Sequence, residues 1–206
     1  MRIPKAAHTA QPWRIHELTR DFRIEDVWSL RAPGAGPDDF PVMLDALKVS
    51  YDTRKEPAAT RFLMGVRWKL GALLGWDRSQ KGLGGRVASL RDRLPSELAR
   101  TAHDITPCTD PFVEVYQLDD EAARELANKT VHAIMHLGWV GTVDGGFELR
   151  MAALVKPNGR FGRVYMAFIA PFRYLLIYPP LIRQWERAWQ DRADLLAKRD
   201  PSDGTS

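Results

Sequence analysis

From Thr130 to Val155 apolar and polar side chains alternate twice over, and that pattern constrains the fold more than anything else in the chain. In the first run Val131, Ala133, Met135, Leu137 and Trp139 share one face, while Thr130, His132, Ile134 and His136 share the other. Gly141-Thr-Val-Asp-Gly-Gly then supplies the residues of a hairpin turn. In the second run Phe147, Leu149, Met151, Ala153 and Val155 line one face, opposed by Glu148, Arg150 and Lys156. Period-two alternation on both sides of a glycine-rich turn predicts two antiparallel strands. Their shared apolar face must be covered by another layer. Pro157-Asn158-Gly159 ends the second strand.

The covering layer is predicted to follow directly. Residues 161–178 are almost all apolar or aromatic around Pro171, and Pro179 and Pro180 interrupt them. From Leu181 to Ala197 the pattern becomes that of an amphipathic helix through Trp185 and Trp189, and residues 200–206 read as a frayed tail. Strands followed by a long C-terminal helix define an α+β class, with residues 1–199 as one domain. Upstream, Phe112 to Leu118 alternates as a strand, whereas Glu-Ala-Ala-Arg-Glu-Leu-Ala after Asp120 favours helix locally. The spacing of Phe62, Val66, Leu70 and Leu73 predicts a helix over 57–75, and Asp38 or Asp39 can cap a helix carrying Met43, Leu44 and Leu47. Near the N-terminus a strand is expected at 13–18, followed by a short irregular or helical piece before Trp28. Residues 77–111 read as a long connection with one short helix near 95–101.

Composition removes several functional classes. The 206 residues are 45% hydrophobic and 27% charged, as in an ordinary globular domain rather than a disordered chain. Acidic residues are mixed among the basic ones. The nearest approach to a basic stripe, Arg86, Arg91 and Arg93, is interrupted by Asp92, so no nucleic-acid partner is expected. The single cysteine, Cys108, cannot form an intrachain disulfide, and no apolar run follows the N-terminal Met-Arg-Ile-Pro-Lys. Both point to a cytoplasmic setting. Residues 164–182 approach the length of a membrane span, but Arg173 near the middle and three prolines oppose spanning. A buried, kinked helix accounts for the same residues, while an apolar pocket with a basic rim leaves peripheral contact with lipid open.

The common catalytic signatures are missing. There is no dinucleotide-binding or P-loop glycine pattern and no Gly-x-Ser-x-Gly elbow, and Gly82-Leu-Gly-Gly reads as a turn. On a strand, His132 and His136 share a face but stand about 13 Å apart, too far to hold one metal ion. They read as solvent-facing or hydrogen-bonded, with no metal site expected. Cys108 and His103 lack an orienting third group and read as inert.

Two stretches carry a family resemblance. Pro157-Asn-Gly-Arg-Phe-Gly-Arg-Val-Tyr-Met-Ala-Phe-Ile-Ala-Pro-Phe-Arg-Tyr resembles the C-terminal signature of an uncharacterised bacterial family. That family is grouped with the START-like, birch-pollen-allergen-like (SRPBCC) superfamily, and some of its relatives are fused to an epimerase-like nucleotide-binding domain. Arg67-Trp68-Lys-Leu-Gly-Ala-Leu-Leu-Gly-Trp-Asp, followed by Gly82-Leu-Gly-Gly-Arg, is a weaker match, and together the two span roughly residues 60–187. The resemblance implies a helix-grip fold, in which a curved antiparallel sheet wraps a long C-terminal helix around an apolar cavity. The nucleotide-binding domain of the fused relatives is not matched, so NAD does not carry over and no cofactor is expected. The proline-broken helix and the long 77–111 segment depart from simpler superfamily members.

The resulting expectation is a protein that binds a small hydrophobic molecule, lipid-like or polyketide-like. Val131, Met135, Leu137, Trp139, Leu149 and Met151 would form the wall, and Arg173, Tyr165 and Tyr178 would orient the ligand. Trp68, His132 and His136 complete the candidate lining. Arg173 leads, because a buried cation requires a partner: an anionic ligand group, or a structural carboxylate such as Glu114 or Glu125. Two alternatives stand beside this: a cyclase or aromatase in which a His or Tyr moves protons, and a peripheral membrane or protein-interaction module.

Overall fold

The computed structural model describes residues 1–53, 87–101, 112–127 and 131–199. The expected 57–75 helix, Trp68, the Gly82 cluster, His103, Cys108 and the tail at 200–206 lie outside these residues. Five strands form one antiparallel sheet: β1 (Arg23–Ala32), β2 (Val113–Gln117), β3 (Glu121–Ala127), β4 (Val131–Gly141) and β5 (Phe147–Pro157). Their spatial order is β1-β5-β4-β3-β2, so β2 to β5 form a meander and the N-terminal strand adds to its β5 edge. The helices are α1 (Lys5–Thr9), α2 (Ile15–Leu18), α3 (Phe40–Thr53), α4 (Ser96–Thr101), α5 (Gly159–Phe172), α6 (Tyr178–Gln190) and α7 (Arg192–Arg199).

The central hairpin forms as its alternation dictates. β4 and β5 pair without a break from Val131 opposite Pro157 to Gly141 opposite Phe147. Thr142 N–H donates to the Gly146 carbonyl and Gly145 N–H to the Thr142 carbonyl, with Gly145 at a φ of 78° that favours glycine. The front face of the sheet carries Trp28, Leu30, Ala32, Ala122, Leu137, Trp139, Leu149 and Met151. Helices α3 and α6 cover it: Ile182, Trp185, Ala188 and Trp189 recur at helical spacing along α6 and are all buried. Trp139 Nε1 donates to the Gly36 carbonyl and Trp189 Nε1 to that of Pro33, both at 3.0 Å, so each indole is satisfied at its polar end.

The back face is closed as well, by the N-terminal residues. The expected strand at 13–18 is instead helix α2, and β1 occupies the stretch read as irregular or helical. Trp13, Ile15 and Leu18 all point down onto Val27, Ile134, Ala152 and Leu154. Ile15 and Leu18, three apart, share one side of the helical turn, whereas a strand would have turned Leu18 away from Ile15. Arg150 Nη1 donates to the Ala7 carbonyl at 2.8 Å, so a side chain on the face read as polar holds α1 in place.

β3 corrects the local preference for helix. Ala122, Arg124 and Leu126 face front, while Glu121, Ala123, Glu125 and Ala127 face back, between two partner strands. Pairing on both edges overrides intrinsic propensity here. Both glutamates have buried partners on that back face.

Candidate functional site

Two buried polar clusters lie on opposite sides of the sheet, and they differ in how their carboxylates are hydrogen-bonded. On the back face, antiparallel register places each β4 histidine diagonal to a β3 glutamate, within reach of a long side chain. His132 Nε2 donates to Glu125 Oε2 at 2.8 Å, and Glu125 also accepts from the Ser89 hydroxyl and the Leu90 N–H. His136 Nε2 donates to Glu121 Oε2 at 2.9 Å, which also accepts from the Tyr116 hydroxyl, while Glu121 Oε1 accepts from Arg14 N–H at 2.7 Å. Burial pushes both carboxyls up, but these donors outweigh it and hold Glu121 and Glu125 below the usual value.

An ionised Glu121 fixes the tautomers beyond it. His136 gives its Nε2 proton to the carboxylate, so its Nδ1 accepts, and His8 Nε2–H donates to it at 3.0 Å. His8 Nδ1 therefore carries a lone pair, buried with no partner. Burial, with His136, His16 and Arg150 close by, lowers the His8 pKa to about 2, so this imidazole is too weak a base to take a proton near neutral pH. His136 is likewise lowered, chiefly by burial. This network joins the N-terminal residues to the sheet. Among the described residues, no group of three or more His, Cys, Asp or Glu side chains is arranged to hold a metal ion.

The front-face cluster is built where the C-terminal helix changes pitch. Arg173–Ile177 forms a π turn between α5 and α6, where Pro171, Pro179 and Pro180 interrupt regular helical hydrogen bonding. A π turn links residues five apart, which brings Arg173 and Tyr178 to the same side, above β1. There a bulge between Ile24 and Asp26 leaves Glu25 as the extra residue and turns Asp26 inward, level with Ala153 and Met135. Asp26 is 1% exposed and Arg173 8%. Arg173 Nη2 stands 3.4 Å from Asp26 Oδ2 and 4.0 Å from Glu25 Oε2. The expected carboxylate partners Glu114 and Glu125 are therefore replaced by Asp26 and Glu25; Glu125 belongs to the back face.

Proximity does not complete the hydrogen bonding. Both Asp26 oxygens, Nε and Nη2 of Arg173 and Nε1 of neighbouring Trp28 are buried without a hydrogen-bond partner. The Tyr174 and Tyr178 hydroxyls both face Asp26, and burial, the approach of each hydroxyl to the carboxylate and the carboxylate's charge raise both phenols. Trp28 packs on Tyr178 at 5.3 Å between rings, and the Arg2 guanidinium lies 4.5 Å over the Tyr174 ring. Around Asp26 the front face is floored by Ala133, Met135 and Ala153, which stay partly exposed between the cores at either end. An open depression of about 350 Å³ runs along the edge of β1, lined by Arg2, Ile3, Pro4, Lys5, Glu25 and Val27; Asp26, Trp28 and Arg173 do not line it.

The residues chosen from the sequence thus divide. Arg173, Tyr178 and Met135 gather on the front face. Trp139 is there too, but packed into the core between Phe40, Phe147 and Trp189. His132 and His136 are across the sheet. Tyr165 falls within α5, and Trp68 lies outside the described residues. Sequence reasoning missed Asp26, Trp28 and Tyr174. An acidic residue inside the β-favouring run Asp-Val-Trp-Ser-Leu was the available signal, since a carboxylate on a covered strand face demands a partner.

The architecture is that of an α+β protein with an open five-stranded antiparallel sheet and a C-terminal helical layer. The chain belongs to the family described as protein of unknown function (DUF2867), whose model matches residues 18–180. No curated protein and no solved structure is similar to it. Among the described residues no helix is long and apolar enough to cross a membrane.

Proposed function

We propose that this chain binds a small, mainly apolar molecule on the front face of its sheet, under the π turn, with Asp26, Arg173 and Trp28 orienting it. One observation carries this reading: five buried polar atoms on these three residues converge without hydrogen-bond partners. Leaving a buried donor or acceptor unpaired costs about 1–3 kcal/mol each, and more when it is charged. A ligand that supplies the missing partners recovers that cost. Ala133, Met135 and Ala153, partly exposed on the same face, would supply apolar surface to the body of the molecule. A START-like, helix-grip relationship fits an antiparallel sheet with a C-terminal helix packed on one face, and the single cysteine fits a cytoplasmic protein.

Native mass spectrometry of protein purified from its own host tests the binding. A bound species of small-molecule mass is expected in the wild type and lost from Arg173→Gln. A wild-type spectrum showing only the bare chain, with no small molecule extracted by denaturation, refutes the proposal.

A further inference from the structure

We infer that the molecule held at this site carries an uncharged polar head that both donates and accepts hydrogen bonds, as a primary carboxamide does, rather than a carboxylate or an ammonium. The inference rests on the binding site proposed above and adds the chemical class of its ligand. The open edges of the cluster are of both kinds. Asp26 Oδ1 and Oδ2 can only accept, while Arg173 Nε and Nη2 and Trp28 Nε1 can only donate. A carboxylate head satisfies the donors but sets its charge against Asp26. An ammonium satisfies Asp26 and repels Arg173. The two buried charges already cancel: Asp26 opposes Arg173 at 3.4 Å, while Glu25 at the rim pairs with Arg23 at 3.0 Å and stands 4.0 Å from Arg173.

A head with net charge would therefore enter as an unmatched ion in a place where Asp26 is 1% and Arg173 8% exposed. An unpaired ion in such surroundings is far more costly than a neutral group that completes hydrogen bonds. A carboxamide presents its oxygen and its NH₂ side by side, so one end can lie on Arg173 and Trp28 while the other lies on Asp26.

The test uses four probes with one apolar body: 2-naphthamide, 2-naphthoate, 2-naphthylmethylammonium and methyl 2-naphthoate, each titrated calorimetrically into the full chain. The amide is expected to bind at least tenfold more tightly than either ion, and more tightly than the acceptor-only ester. Substitution should invert the ranking. Asp26→Asn leaves Arg173 without its nearest counter-charge and should make the naphthoate the best ligand. Arg173→Gln leaves Asp26 and should favour the ammonium. A wild type that prefers either ion overturns the inference, as does a folded variant that keeps the wild-type order. If neither variant folds, the wild-type ranking decides. Failure of all four probes to bind is a different result: it removes the proposed binding site itself and this inference with it.

Discussion

Gly138→Ala tests whether the N-terminal residues are fastened to the sheet as described. Gly138 sits mid-strand on the back face of β4, opposite Arg150 and Glu121. It has no positive φ, so its backbone accepts alanine. The obstacle is Trp13: a Cβ added at Gly138 would stand 2.3 Å from Cζ2, 2.6 Å from Cε2 and 2.8 Å from Cη2 of the indole. Optimal carbon contacts lie near 3.5–4.0 Å, so the ring must retreat by more than 1 Å. Trp13 is 4% exposed and touches His8 and His136, with ring centroids at 4.8 and 4.9 Å, and has little space to move into. Overpacking of this kind costs about 1–3 kcal/mol, and complete loss of the indole packing sets a ceiling of about 3–5 kcal/mol. Urea unfolding, followed by circular dichroism in the wild type and in a Trp13→Ala background, separates this cause from others. With the indole gone, Gly138→Ala should be neutral or stabilise by up to about 1 kcal/mol, because glycine within a strand is entropically unfavourable. An equal cost in both backgrounds would refute the reasoning, because the penalty would then not come from Trp13.

Acidification should loosen the same attachment. His8 and His136 have folded pKa values below the ordinary 6.5, so the unfolded chain takes up protons that the folded chain refuses. Stability is therefore full above pH 6.5 and falls below it, by up to about 1.4 kcal/mol per pH unit for each histidine. Glu121, with its lowered pKa, adds a loss in the same direction once the pH drops below its ordinary value near 4.5. Thermal unfolding from pH 7.5 to 5 should show this slope, and His8→Gln should flatten it. Glu121→Gln leaves His136, Tyr116 and the Arg14 N–H facing an amide, and should cost about 2–4 kcal/mol in urea unfolding. Asp26→Asn removes the counter-charge 3.4 Å from buried Arg173 and should cost about 3–5 kcal/mol in the same assay; a cost near zero would show that the two charges do not support each other. Trp189→Ala removes a fully buried indole from the front core and should cost about 3–5 kcal/mol.

The sequence revealed elements whose order comes from the chain itself and concealed those ordered by distant partners. β4, β5 and the C-terminal helices are legible because alternation, a Gly145 turn and a Trp185–Trp189 spacing are all local signals. β3 is not, because its alanines and glutamates become strand residues only between β2 and β4. The N-terminal residues misled for a related reason: Trp13 and Ile15 alternate as in a strand, yet the surface they must cover was assembled more than a hundred residues later. At the site Arg173 is legible because a buried cation in an apolar run requires a partner. Its partner Asp26 sits about 150 residues away and is aimed by a bulge, which leaves no mark in residue spacing.

The contrast between the two faces bears on what the front cluster is for. Both lie on the same sheet, and both bury acids beside cations or histidines. On the back face Glu121 and Glu125 each collect three donors, from side chains and backbone N–H groups brought in by separate elements. The fold thus satisfies both carboxylates of that network and leaves His8 Nδ1 without a partner. Asp26 is as deeply buried and has Arg173 and two phenols near it, yet none closes a hydrogen bond on its oxygens. Arg173 approaches Asp26 to 3.4 Å as an ion pair without an ordinary hydrogen bond. The π turn and the bulge at Glu25 bring Arg173 and Asp26 to 3.4 Å, with the small residues Ala133 and Ala153 beside them. Asp26 and Arg173 thus form a buried ion pair whose hydrogen bonding is incomplete, and the proposed ligand is what would complete it.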